Sequence, residues 1–257
     1  MRTILLYLSY DGRNFCGWQS QRKINEERTV QGELEKALLK VHKTKVLCQG
    51  SGRTDSGVHA RRQAVSFDSP LRSIPVEKYP MALNAFLPID IRVQSAHLMP
   101  NGFSARFNAT SRSYRYFLST SQSPSAFSMP YSWALYRKPN ILLLNAMASL
   151  LHGEMDCASF ASSGDKSLST KRYIYTASFF MEDEMLVFEI SANAFLWKMI
   201  RSLVGSLIDF EKRYGDNAVE EFQKLIDLKD RKKAGQTAPP QGLFMWDVSF
   251  EGERLHP

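Results

Sequence analysis

Apolar side chains at Ile4, Leu6, Leu8 and Tyr10 alternate with Leu5, Tyr7 and Ser9, the period of a strand, and Asp11-Gly12 ends the run. Thr29 is a helix cap, and Val30, Leu34, Ala37, Leu38 and Val41 follow it at helical spacing. The apolar pair Val46-Leu47 leads into a glycine-rich stretch, and Val58 to Phe67 reads as the next strand, carrying Arg61 and Arg62. Pro75 starts a second helix through Leu87, Pro88 stops it, and Ile91 to Met99 alternates again. The succession strand–helix–strand–strand–helix–strand is that of a ferredoxin-like unit, a fold with many unrelated functions.

Pro100-Asn101-Gly102 is the best internal boundary, giving halves at 1–101 and 102–257. Beyond it, Arg112, Tyr114 and Tyr116 share one face of a strand. Exposed, that face suits nucleic acid; buried, it is two core tyrosines, and alternation alone does not choose. Ser121 to Met129 is a serine-rich connector, and Ile141 to Leu151 is a helix. Two alternating runs, Tyr173 to Phe180 and Leu186 to Ile190, flank a hairpin turn at Glu182-Asp183-Glu184. Trp197, Ile200, Leu203, Val204, Leu207 and Ile208 fall on one helical face, with Arg201 at its edge. An arginine so placed is expected to be partly buried and to need an anionic partner; a salt bridge between the halves is the plain structural reading. Asn217 to Lys229 is another amphipathic helix, Asp230 to Lys233 a solvated charge run, and Phe244 to Phe250 the last strand. The second half repeats the grammar of the first without recognisable sequence repetition.

Composition narrows the class. The 257 residues are 44% apolar, enough for a core, and the net charge of +7 suggests an anionic partner, nucleic acid first and membrane surface second. Cys16, Cys48 and Cys157 are far apart and odd in number, so neither a disulfide framework nor a zinc spacing is expected. They fit a reducing cytoplasm. The five histidines have no metal spacing. The first twelve residues end too soon in Asp-Gly for a signal peptide, and no run approaches a membrane span.

The candidate chemistry lies in Gly50-Ser51-Gly52-Arg53-Thr54-Asp55-Ser56-Gly57-Val58-His59. Its glycines allow a sharp turn and close approach to a ligand. Arg53, two residues from Asp55, favours the ionised carboxylate, which makes Asp55 a candidate nucleophile. The plain alternative is an Asp bonding its own turn backbone. Upstream, Arg13-Asn14-Phe15-Cys16-Gly17-Trp18-Gln19-Ser20-Gln21-Arg22 mixes aromatic, amide and basic side chains. It is either an RNA-contacting stretch or an ordinary loop with Phe15 and Trp18 in the core. Lys23 to Arg28 is polar and expected to be mobile.

The string GRTDSGVHA resembles the catalytic loop of the tRNA pseudouridine synthase A family. Similar too are the YDG-x-x-F-x-G-W-Q segment, R-x-Y-R-Y at Arg112 to Tyr116, K-M-I-R at Lys198 to Arg201, and A-P-x-x-G-L at Ala238 to Leu243. The likeness runs from Tyr10 to Val248. Ser104 stands where the family has histidine in F-H-A-R-F, and Cys157 where it has phenylalanine in D-F-x-x-F, a small packing difference. The resemblance implies an α+β fold, two ferredoxin-like halves sharing a mixed, mainly antiparallel sheet, with the loop facing a basic cleft between them. It implies conversion of uridine to pseudouridine at about positions 38 to 40 of the tRNA anticodon stem-loop, by a homodimer that needs no cofactor or metal. By the same resemblance Asp55 is the nucleophile, Tyr114 packs on the target base, Arg201 pairs with Asp55, and Arg53 faces the RNA; Leu243 lines the pocket or belongs to the core. Other readings are a non-catalytic RNA-binding protein on the same fold, a nucleosidase that releases uracil, and a sister synthase with another tRNA site. The intact set Asp55, Arg53 and Arg201 argues against the first. Glycosidase logic wants two carboxylates near the bond, and no second one stands out.

Overall fold

In the computed structural model, residues 1–19, 27–253 and 255 are described. Ser20, Gln21 and Arg22 of the aromatic–basic stretch, and Lys23 to Glu26 of the polar segment expected to be mobile, lie outside them. The chain divides into two units, one of Met1–Thr110 with Phe244–Gly252, the other of Ser111–Leu243 with Glu253–Pro257.

Unit 1 runs β1 (Arg2–Tyr10), α1 (Val30–His42), β2 (Cys48–Gly50), β3 (His59–Ser69), α2 (Tyr79–Asn84) and β4 (Ile91–Met99). β4, β1 and β3 lie side by side and β2 pairs with β3, all antiparallel. This is the ferredoxin-like order. Ile4, Leu6 and Leu8 are fully buried with Leu34, Leu38 and Leu83, each worth about 2 kcal/mol against exposure. The Thr29 hydroxyl accepts from the Gly32 N–H at 3.2 Å and opens α1; Lys43, at φ 57°, closes it. The helix expected from Pro75 to Leu87 is a 3-10 turn, Val76–Lys78, followed by the short α2.

Unit 2 runs β5 (Ser111–Ser119), β6 (Trp133–Ala134), α3 (Ile141–Ser149), β7 (Gly153–Asp156), β8 (Lys171–Glu182), β9 (Met185–Ala192), α4 (Met199–Tyr214) and α5 (Ala218–Leu228). Its strands lie in the order β5-β9-β8-β7, antiparallel throughout, while the short β6 runs parallel to β5. Asn145 of α3 bonds both the N–H and the C=O of Phe179, which fixes that helix on β8. β10 (Leu243–Ser249) returns to pair in parallel with the start of β3, Phe244 opposite His59. The fold is therefore α+β, with strands mainly antiparallel.

Two expectations on α4 change. Trp197 is 46% exposed and precedes the helix, because Lys198 at φ 60° breaks the helical run just before Met199. The apolar stripe itself stands: Ile200, Leu203, Val204, Leu207 and Ile208 are buried. The Asp230 to Lys233 run is not only a solvated face, since the Arg231 guanidinium donates to the Gly235 carbonyl and the Thr237 hydroxyl. Among the described residues no helix is long and apolar enough to cross a membrane.

Candidate active site

The Asp55 loop is held by the segment that ends β1. The Trp18 N–H donates to the Thr54 carbonyl at 3.1 Å, and the Ser56 hydroxyl and Gly57 N–H both donate to the Phe15 carbonyl. Below them the Tyr10 hydroxyl and Thr54 Oγ1 are 2.8 Å apart. The Val58 N–H donates back to the Asp55 carbonyl at 3.1 Å, closing a turn around the carboxylate. On the other flank, Ser51 Oγ donates to Gln63 Oε1 at 2.6 Å and Gln63 Nε2 donates to the Gly52 carbonyl at 2.9 Å. Phe15 and Trp18 are core residues, 2% and 3% exposed, so the stretch reads as a loop with its aromatics tucked in. Gly12 is required there: a Cβ would sit 2.0 Å from the Val58 carbonyl oxygen.

His59, the last residue of the loop motif, had no role assigned from sequence. It is buried, and the Gly12 N–H lies 3.1 Å from its Nδ1. Its ring stacks on Phe244 at 4.5 Å, and Asp11 Oδ1 lies 3.3 Å from Nδ1. The loop is thus tied at Gly12, Trp18, Gln63 and Phe244, while Asp55 stays half-buried and Arg53 exposed. A fixed, partly open carboxylate can act as a nucleophile without first moving.

In unit 2, Arg112, Tyr114 and Tyr116 of β5 are all buried, at 6%, 6% and 0%. The shared face therefore points into the unit rather than to solvent. Tyr116 is an anchor: its hydroxyl donates to the Pro239 carbonyl at 2.7 Å, and burial pushes its phenol well above the usual range. Tyr114 meets Phe195 edge-on at 5.2 Å, and Arg112 donates to the Asn193 carbonyl at 2.8 Å. Arg201 is half-buried, and its Nε donates to the Ala238 carbonyl at 2.8 Å while the Ala238 N–H donates to the Arg201 carbonyl. α4 can approach that turn because residue 205 is glycine; a Cβ there would lie 1.7 Å from the Gln236 carbonyl oxygen. Leu243, 5% exposed, ends the same turn. So Tyr116 and Arg201 grip adjacent carbonyls of the Ala238 to Leu243 motif. Sequence spacing named Arg201 and missed Tyr116 as its companion; its place two residues from Tyr114 was the available signal.

The two departures from the family pattern are accommodated. Ser104 Oγ donates to Gln49 Oε1 at 2.6 Å and accepts from the Arg106 and Phe107 N–H groups. Cys157 is fully buried, and burial raises its thiol to about 12. Among the described residues no three His, Cys, Asp or Glu side chains group to hold a metal ion.

Comparison with known proteins places the chain in a family. The profile of a family described as tRNA pseudouridine synthase matches residues 7–108 and 147–251. The chain is 50% identical over 256 residues to the tRNA pseudouridine synthase A of Treponema denticola, spanning 99% of this chain and 95% of that one. It is 40% identical over 246 residues to the protein of that name from Bacillus subtilis, covering 95% and 97% of the two chains. For the one from Borrelia duttonii the values are 39% over 251 residues, 98% and 100%. The chain belongs to the tRNA pseudouridine synthase family, isomerases that turn uridine into pseudouridine in tRNA.

Proposed function

We propose that Asp55 is the nucleophile, and that the uridines converted are those at about positions 38 to 40 of the anticodon stem-loop. The observation that carries this reading is the Asp55 turn, a half-buried carboxylate on a loop bonded on both flanks. The Asp55 carboxylate attacks C1′ of the uridine and displaces the uracil through N1; in a second scheme it attacks C6 of the base. The uracil turns in the pocket, C5 bonds to C1′, and Asp55 is released. The C5 proton leaves and N1 takes one up, so the product is an isomer of the substrate. Tyr114 stacks on the base and assists removal of the C5 proton. Arg201 serves the reaction as a positioning residue, Arg53 holds a phosphate or fills the space the base vacates, and Leu243 lines the pocket. A uridine in a paired stem must first leave the stack, which costs a few kcal/mol. The enzyme works as a homodimer in the cytoplasm, without cofactor or metal.

The test incubates wild type and Asp55→Ala with unmodified tRNA transcripts, maps pseudouridine by position and assays free uracil. Pseudouridine in the anticodon stem-loop from wild type alone supports the reading. Pseudouridine elsewhere in the tRNA would point to the sister synthase, and free uracil to a hydrolase. Two proteins that bind tRNA and modify none would leave the non-catalytic binding protein.

A further inference from the structure

The register of unit 1 contains two irregularities at one level of the sheet. Leu8 faces Gln63 and Tyr10 faces Ala60, so Arg61 and Arg62 together oppose Ser9, a bulge in β3. Tyr7 faces Ser95 and Leu8 faces Val93, so Gln94 is the extra residue in β4. Regular alternation would send Arg61 and Arg62 to opposite faces. The bulge leaves both exposed, and both line one hollow with Gln94, Trp246 and Asp247. Bulges near active sites commonly re-aim side chains in this way.

Each guanidinium is stacked. Arg61 lies 4.4 Å from the ring centroid of Trp246, and Arg62 lies 4.0 Å from that of Tyr7. A guanidinium held over a ring is partly ordered in advance, and its planar fork suits two bonds to a phosphate. Arg62 also donates to Asp247 at 2.9 Å, an exposed pair of the weak, solvent-screened kind that a phosphate can replace. Asp247 and Glu251 are the carboxylates whose charge reaches Tyr7. Among the described residues none forms a salt bridge with Arg61. Arg61 follows Asp55 by six residues, at the start of the strand that the loop feeds.

We propose that the Arg61–Trp246 and Arg62–Tyr7 pairs form a docking surface for the ribose-phosphate backbone of the substrate tRNA, at a point other than the reacting nucleotide. This deepens the tRNA-modifying reading and rests on it. Phosphate contacts position an RNA without reading its sequence, so the surface contributes affinity and register rather than choice of base.

The experiment measures the Kd of an unmodified tRNA transcript from 50 to 300 mM salt by fluorescence anisotropy. The proteins are wild type, Arg61→Ala, Arg62→Ala, the double variant, and Lys224→Ala as a charge-loss control in unit 2. Thermal melting checks folding. Each lost phosphate contact lowers the slope of log Kd against log salt by about 0.7–0.9. The double variant is expected to bind about tenfold more weakly near 0.1 M salt, with the slope lower by about 1 to 2. Arg61→Lys, which keeps the charge and loses the fork, is expected to recover only part of the affinity. A double variant that matches Lys224→Ala in both Kd and slope overturns the proposal. So does an unchanged slope with a loss of self-association in sedimentation, which would make the face a protein contact. Absence of pseudouridine from the wild-type reaction would instead strike the enzymatic reading, whatever the slopes.

Discussion

The two regions that carry the candidate chemistry are built in opposite ways. Around Asp55 the side chains that matter stay partly open, and the loop is held from outside by backbone bonds to the Tyr10 to Trp18 segment together with ties from Tyr10, Ser56 and Gln63. Around Arg201 and Tyr114 the tyrosines are buried, and rigidity comes from side chains gripping the carbonyls of Ala238 and Pro239. A reacting carboxylate must meet a substrate, so only its frame can be closed. The anchors Arg112 and Tyr116 hold their own unit together and can be closed on all sides. The difference predicts where substitutions should cost activity and where they should cost stability.

The largest effect should separate the two. Asp55→Asn keeps the shape of the side chain and removes the nucleophilic oxygen anion. Pseudouridine formation should fall by ~10³-fold or more, with the melting midpoint unchanged. If the variant retained a tenth of the wild-type rate, the nucleophile would have to be sought elsewhere.

Next come the glycines on which each region closes. Gly12→Ala and Gly205→Ala both force a Cβ against a backbone carbonyl, at 2.0 and 1.7 Å. Each is expected to lose about 3 kcal/mol or more in denaturant unfolding, since neither carbonyl is a flexible side-chain end. Equal and small losses would mean that the backbone yields more easily than the packing implies.

Arginines sharpen the contrast. Arg112→Ala removes a buried guanidinium and its bond to the Asn193 carbonyl, so unfolding should show a loss of about 3 kcal/mol. Arg53→Ala alters an exposed side chain and should leave stability within about 0.5 kcal/mol, while weakening tRNA binding in a salt-dependent way.

The smallest effects test the two hydroxyl ties. Tyr116→Phe leaves the Pro239 carbonyl without its donor, and Thr54→Val removes the partner of the Tyr10 hydroxyl. Each should cost about 1 kcal/mol. Only the Thr54 change sits on the loop of the proposed nucleophile, so a fall in turnover beyond the stability loss is expected there and not for Tyr116→Phe.

Much of this molecule follows from local patterns. Period-two alternation placed β1, β4, β8 and β9, and helical spacing placed α1, α3 and α5, because burial of one face selects the periodicity directly. The glycine-rich loop and its Asp55 were visible as a motif. Local pattern could not tell whether Tyr114 and Tyr116 face solvent or core, since an aromatic on a strand fits either; the elements packed over β5 decided that they are buried. Nor could it show that Trp197 leaves the helix, which a left-handed Lys198 imposes. The adjacency of Arg61 and Arg62 in one hollow is wholly tertiary. A bulge is a mismatch of count between paired strands, and it exists only once Ser9 on β1 has met two residues of β3.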